Sequence, residues 1–215
     1  NIVGNVRIDR GYPVSVQRNQ ISSVAVTGSA SVGVLNNFIG NLSVEGGKDI
    51  VVENNRGAFD TTSFASEFTV NNSKNVSVNN NRAKSLLFTR DTLMNVSSNT
   101  INRSNDYNIC CGGEFFGVYL NESRSVNVLQ NKIDLNWSFE YSLRGVSVRS
   151  SSAVNVNDNI IDVSTDYYSD NQGVQVLGTT SRNISVRGNS ILNGYTYYGG
   201  GNATQYGVYI DGGDT

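Results

Sequence analysis

The 215-residue chain contains no histidine, one proline (Pro13), one tryptophan (Trp137), one methionine (Met94) and two cysteines. Each scarcity excludes something. Without histidine, the commonest general base, the usual nucleophilic triads and most zinc sites are unavailable. The cysteines are neighbours, Cys110 and Cys111, so they build no disulfide framework, and a bond between them would be strained. They read as loop thiols and leave the redox compartment undecided. Charged residues make up only 16% of the chain and the net charge is −2, which provides no basic footprint for nucleic acid. No run of twenty apolar residues occurs, so membrane insertion through an apolar helix is not expected.

What the chain has instead is repetition. A nine-residue phrase, aliphatic-x-aliphatic-x-x-Asn-x-aliphatic, occurs eight times. It reads PVSVQRNQI (13–21), SVGVLNNFI (31–39), DIVVENNRG (49–57), NVSVNNNRA (75–83), LMNVSSNTI (93–101), SVNVLQNKI (125–133), AVNVNDNII (153–161) and NISVRGNSI (183–191). Before each copy stands a second alternating stretch, which opens with glycine in the later copies, as in Gly117-Val118-Tyr119-Leu120 and Gly145-Val146-Ser147-Val148. Period-two alternation marks strands with one buried face. Each unit therefore predicts two clear strands and a short third around Asn-x-Ile. Successive units start at residues 5, 23, 41, 67, 85, 117, 145, 173 and 207. The 18-residue minimum spacing is too short for a four-stranded propeller blade and lacks the helical pattern of leucine-rich repeats.

Three short strands per unit match one rung of a coil. The phrase resembles the right-handed parallel β-helix of the pectate-lyase-like superfamily over essentially the whole chain. The expected fold is therefore all-β: one right-handed parallel β-helix domain over residues 1–215, with about eight to nine rungs. Stacking at about 4.8 Å per rung predicts two internal aliphatic columns, one through Val14, Val32 and Ile50 and one through Val16, Val34 and Val52. It also predicts a ladder of Asn19, Asn37, Asn55, Asn81, Asn99, Asn131, Asn159 and Asn189 at a sharp turn, where asparagine tolerates left-handed geometry and its amide bonds the next rung. Neither end shows the capping unit that solenoids need. The chain is accordingly expected to be the middle of a longer protein, cut at both ends, which makes a missing signal peptide uninformative.

Extra length enters at one phase of the repeat only, at residues 58–66, 102–116, 134–144, 162–172 and 192–206. Constant phase places these inserts along one edge of the rod. They hold 61 of 215 residues but 14 of 20 aromatics, more than twice their share. Packing back onto the rod is the plainer reading for each ring. A row of Tyr and Trp accompanied by Asp, Asn and Gly also suits sugars, whose C–H faces stack on rings while hydroxyls meet the polar rims. In the resembling family, loops at this position flank a groove over the first sheet, where polysaccharide binds. The floor of such a groove would carry Tyr119, Ser147, Gln175 and Tyr209 with Asn121, Arg149, Leu177 and Asp211. The corresponding residues of the first five rungs are blander, so the site is expected in the C-terminal half.

Without histidine, hydrolysis falls to carboxylates, one as acid and one as base or nucleophile. Acids available beside the groove are Asp106, Glu114, Glu140, Asp162, Asp166, Asp170 and Asp211. The favoured catalytic set is Glu140, Asp166 and Asp170, on neighbouring inserts beside Trp137 and Tyr167/Tyr168. Substrate contacts are expected from Trp137, Tyr119, Tyr141, Tyr167, Tyr168, Tyr197, Tyr198, Tyr209, Arg149 and Gln175. An exposed loop acid is more often a plain solvated charge, and none of these lies in a motif that names a reaction. β-Elimination from a uronate is the alternative chemistry, with Arg144 and Arg149 bracketing one strand, although Arg149 reads as nearly alone on the floor. No cofactor is expected; Asp-rich loops could offer calcium oxygen ligands, but no EF-hand or glycine–aspartate array is present.

Among members of the superfamily, the polar, Asn/Ser-rich rod with aromatic inserts most resembles a bacteriophage tailspike depolymerase. That resemblance implies binding and cleavage of a bacterial surface polysaccharide (capsule or O-antigen), an extracellular or virion-surface location, and a homotrimer. Two other readings stay open. One is a non-catalytic receptor-binding fibre or adhesin, which needs the rings but not the opposed carboxylates. The other is a secreted lyase or epimerase acting on uronates.

Overall fold

The computed structural model describes residues 2–57, 66–103, 113–135, 142–164, 170–193 and 204–212. Every strand pairing among them is parallel, and successive strands of each sheet come from successive repeats. This is a parallel β-helix. Eight strands from Val14–Gln17 to Arg182–Arg187 form a back sheet. The strands Glu67–Asn71, Ser85–Thr89, Glu114–Asn121, Ser142–Arg149, Asn171–Leu177 and Gln205–Asp211 stack as a floor sheet. Between them lie the short strands around Asn-x-Ile, such as Thr100–Asn102 and Lys132–Asp134.

In the first rungs the short strand and the floor strand are continuous, as in Gln20–Thr27 and Phe38–Glu45. Phe38–Glu45 then pairs with Arg56–Gly57 through its first half and with Glu67–Asn71 through its second. Where residues are inserted, the single strand becomes two and the sheet forks. The later floor strands begin before their glycine, at Glu114 and Ser142. The core also reaches into segments that the repeat alone assigns to inserts, burying Leu135, Leu143 and Val163.

Both aliphatic columns form as the repeat predicts. Val14, Val32, Ile50, Val76, Met94, Val126, Val154 and Ile184 lie in register, as do the valines two residues further on. Most are fully buried, each contributing roughly 1.5–3 kcal/mol relative to exposure.

The asparagine ladder is complete in its hydrogen bonding. From Asn37 to Asn159, the side-chain oxygen accepts the backbone N–H of the asparagine one rung before, at 2.9–3.0 Å. The side-chain nitrogen donates to a valine carbonyl of the preceding rung (2.8 Å from Asn37 to Val16) and to the next asparagine oxygen (3.1 Å from Asn37 to Asn55). Every donor and acceptor of these buried amides is used.

One expectation is corrected. The left-handed residue of this turn is the one before the ladder asparagine: Arg18, Asn36, Asn54, Asn80, Ser98, Gln130, Asp158 and Gly188 all have φ between 52° and 63°. The ladder residue is needed for its inward-turned amide, and the backbone reversal that turns it inward falls one position earlier.

A second ladder was not anticipated. After the floor strands a second left-handed residue recurs (Arg10, Gly28, Gly46, Asn72, Arg90, Glu122, Ser150), and Gly28, Asn72, Arg90, Glu122 and Ser150 each precede a small polar one. Ser29, Ser73, Asp91, Ser123 and Ser151 each offer a side-chain oxygen to a backbone N–H of the preceding rung, at 2.7–3.3 Å. The signal was present in the sequence as a Ser or Asp three places after the floor pair in five rungs: Ser29, Ser73, Asp91, Ser123 and Ser151.

Candidate functional site

The floor column is in register as predicted: Leu87, Tyr119, Ser147, Gln175 and Tyr209 lie one rung apart on successive strands. It carries aromatic rings towards both ends and polar groups between them. Tyr119 packs on Phe116 (centroids 4.7 Å apart, 46° between planes), and Tyr209 packs on Tyr206 (5.0 Å, 47°). In both pairs the rings come from either side of a floor glycine, Gly117 or Gly207.

These glycines have a packing reason. A Cβ on Gly145 would lie 2.5 Å from the Gly173 carbonyl oxygen and would collide with the Ile161 side chain; Gly117 and Gly173 face the same obstruction from Ile133 and Ile191. With no side chain there, the backbone folds sharply. An extended chain from residue 114 to residue 121 would span about 23 Å. Yet Arg149, paired with Asn121, reaches the Glu114 carboxylate at 2.5 Å. The strand is therefore bent at its glycine, with outward side chains from both arms turned towards each other.

At this bend sits a compact charged cluster. Glu114 accepts from Arg149 through Oε2 (2.5 Å) and from Arg144 through Oε1 (3.2 Å). The Arg149 guanidinium carbon stands 5.5 Å from the Phe116 centroid and 5.6 Å from the Tyr119 centroid, a cation–π arrangement over two rings. Arg144 is buried and donates to the backbone carbonyls of Leu143 and Asp170. Burial pulls its pKa down, while the Glu114 and Asp170 carboxylates oppose that shift. Its Nε and that of Arg149 are buried without a hydrogen-bond partner among the described residues.

The middle of the floor departs from the expectation of an open surface. Ser147 is fully buried and Gln175 only 3% exposed, with the serine hydroxyl donating to the glutamine oxygen at 2.8 Å. Gln175 is thus committed to a neighbour on its own sheet and acts on a ligand only indirectly. Asp170 is exposed and its Oδ1 accepts the Thr204 N–H at 3.2 Å. Asp162 is half-buried and accepts from the backbone and hydroxyl of Ser164.

Of the residues expected from the sequence, Tyr119, Arg149, Gln175, Tyr209 and Asp170 fall within the described structure. Glu140, Asp166, Trp137, Tyr141, Tyr167, Tyr168, Tyr197 and Tyr198 lie outside the described residues, as do Cys110 and Cys111. Sequence reasoning missed the role of Glu114 and Phe116 and underrated Arg144. Arg149 does not stand alone: Glu114 gathers both arginines. Nothing in the spacing of residues 114, 144 and 149 announces this, because the bend brings them together. Among the described residues, no group of three or more His, Cys, Asp or Glu side chains could hold a metal ion.

No protein-family model and no curated protein sequence matches the chain. Among solved structures it is similar to PfbA, a surface adhesin of Streptococcus pneumoniae, at 12% identity over 89% of this chain and 70% of that one, with a TM-score of 0.43. It is also similar to the periplasmic alginate epimerase AlgG, at 10% identity over 97% of this chain and 76% of that one, with a TM-score of 0.26. Superpositions this loose carry no functional argument; the fold rests on the strand register itself.

Proposed function

We propose that the floor sheet binds an extended polysaccharide along the coil axis, and that the chain cleaves it with carboxylates of the adjoining segments. The observation that carries the reading is the floor column itself. The Phe116–Tyr119 and Tyr206–Tyr209 pairs are separated by the two rungs of Ser147 and Gln175. Tyr119 and Tyr209 are therefore about 14 Å apart at the β-sheet spacing, so a polysaccharide several sugar units long meets the two ring pairs and passes outside the buried Ser147–Gln175 pair. Rings take the C–H faces of sugars and the polar rims take hydroxyls. Arg149 beside Tyr119 adds a cation at one end.

The finer reading is a tailspike-like depolymerase acting on a bacterial capsule or O-antigen, outside the cell or on a virion surface, and assembled as a homotrimer. Glu140, Asp166 and Asp170 are the proposed acid, base or nucleophile of glycoside hydrolysis. A second reading, a non-catalytic glycan-binding module, is favoured by one observation. Of the two acids described at the bend, Glu114 is occupied by both arginines and Asp170 accepts Thr204.

The test is incubation with a panel of capsular and O-antigen polysaccharides, following reducing ends and the absorbance of unsaturated uronate. New reducing ends without that absorbance support hydrolysis, and the absorbance indicates elimination. Binding without either product across the panel establishes the non-catalytic module. Undiminished activity in Glu140→Gln, Asp166→Asn and Asp170→Asn would remove the proposed catalytic set.

A further inference from the structure

A second surface, at the asparagine turn of the first three rungs, has a composition that the floor-sheet reading does not use. A cleft of ≈ 760 Å³ is lined by Arg18, Asn19, Gln20, Asn36, Asn37, Phe38, Asn54 and Arg56. Its outward residues form a lattice of two columns across three rungs. Arg18, Asn36 and Asn54 hold the left-handed turn position, and Gln20, Phe38 and Arg56 are paired in register beside them. The two arginines occupy opposite corners and Phe38 lies between Gln20 and Arg56.

Three features make this more than a solvated face. Phe38 is 42% exposed, a large apolar ring in an otherwise polar lattice. The side chains of Arg18, Gln20, Asn36 and Arg56 have no hydrogen-bond or ion-pair partner among the described residues, and all four are exposed. Among the described residues, no carboxylate lines the cleft. The adjacent acid, Glu53, is in contact with the Asn54 amide.

We propose that this cleft is a binding site for an acidic saccharide unit. The sugar ring lies on Phe38, its hydroxyls meet the Asn36 and Gln20 amides, and its acid group pairs with Arg56 or Arg18. Guanidinium binds a carboxylate or a sulfate through parallel N–H donors, and an exposed ring provides the flat apolar face. The amides are what distinguish this from a generic anion patch, since each carries both a donor and an acceptor for a hydroxyl. The cleft lies three to five rungs from Tyr119, roughly 15–25 Å along the axis, so it is a separate site from the floor sheet and stands or falls independently of it.

The experiment is NMR titration of the folded chain with galacturonate oligomers, sulfated dextran oligomers, neutral dextran oligomers and polyglutamate of matched length. The expected result is saturable shifts at the amides of Arg18, Asn36, Phe38 and Asn54 with one or both acidic saccharides. The two acidic arms decide between carboxylate and sulfate. Phe38→Ala and Arg18→Gln/Arg56→Gln are each expected to weaken that binding tenfold or more, while circular dichroism confirms the coil is retained. Shifts located elsewhere, equal binding of polyglutamate, equal binding of neutral dextran, or affinity unchanged in both variants would overturn the proposal.

Discussion

Arg149 and Glu114 are joined at 2.5 Å although they stand at opposite ends of two paired strands, Glu114 opening one and Arg149 closing the next. The contact exists because the strand is folded at Gly117 and its neighbour at Gly145. It ties the two arms of the bend, draws in the buried Arg144, and holds a guanidinium over the Phe116 and Tyr119 rings.

Glu114→Gln is therefore expected to lower stability by roughly 1–3 kcal/mol. The lower end reflects solvent screening of a carboxylate that is partly exposed, and the upper end the stranding of a buried guanidinium. Urea denaturation with an unchanged m-value checks it. Arg144→Gln should cost no more than Glu114→Gln, because it removes the buried charge itself and leaves Glu114 paired with Arg149.

Gly145→Ala is expected to destabilise by roughly 1–3 kcal/mol, since the new methyl meets a backbone carbonyl and a packed isoleucine that cannot both retreat. Gly207 offers the control. Among the described residues nothing lies within 4 Å of a Cβ built there, so Gly207→Ala should stay within about 0.5 kcal/mol of the parent. Equal effects at the two positions would refute the packing explanation.

Asn99 sits in the middle of the ladder and is 1% exposed. Asn99→Ala strands the Asn81 N–H and the Val78 carbonyl, which it bonds at 2.9 and 2.8 Å. At about 1–3 kcal/mol per unsatisfied buried group, the loss for the two groups should reach roughly 2–6 kcal/mol. Asn19, at the end of the ladder and half-buried, should tolerate the same change with a smaller loss in thermal denaturation.

Asp91 replaces serine in the second ladder and is fully buried, with Oδ2 unpartnered among the described residues. Desolvation raises its pKa from the ordinary 3.8 to about 7, against the hydrogen bonds from Ser73 and Thr89. The fold therefore favours the protonated form. Its contribution is fully present below about pH 4 and is lost progressively as pH rises to 7. The parent should lose on the order of 2–4 kcal/mol across that window. Asp91→Ser, which restores a hydroxyl able to donate as well as accept, should remove most of that slope and gain stability at pH 8. A pH series of denaturation midpoints decides it. An unchanged slope in the variant would place the titration elsewhere.

Tyr119→Ala should weaken binding of the polysaccharide recognised by the floor sheet about tenfold, the order expected for one lost ring–sugar contact. Isothermal titration would measure it once a binding polysaccharide is in hand.

Most of the coil was legible in advance because its causes are local and repeated. Val-x-Val alternation names the inward face, and an asparagine at constant phase names the turn. What the repeat misplaced was the left-handed residue, since asparagine is equally suited to a strained turn and to a ladder amide, and only the hydrogen bonds separate the two roles. The serine ladder escaped notice because small polar residues are common throughout this chain. The site was legible as a region rather than as a constellation: Tyr119, Arg149 and Tyr209 were placed on the floor, while Glu114, Phe116 and Arg144 belonged by their spacing to an insert.

The sequence by itself determined the rung, its phase and the edge at which additional residues enter, because period-two alternation and a repeated turn act over a few residues and reappear in every unit. The tertiary structure decided which residues meet. Stacking set the columns in register, the glycine bend folded the floor strands against themselves, and that bend brought Glu114 to Arg144 and Arg149. Burial then turned Ser147 and Gln175 from an open floor into an internal pair. Such encounters depend on the path of the backbone in three dimensions, which residue spacing along the chain does not encode.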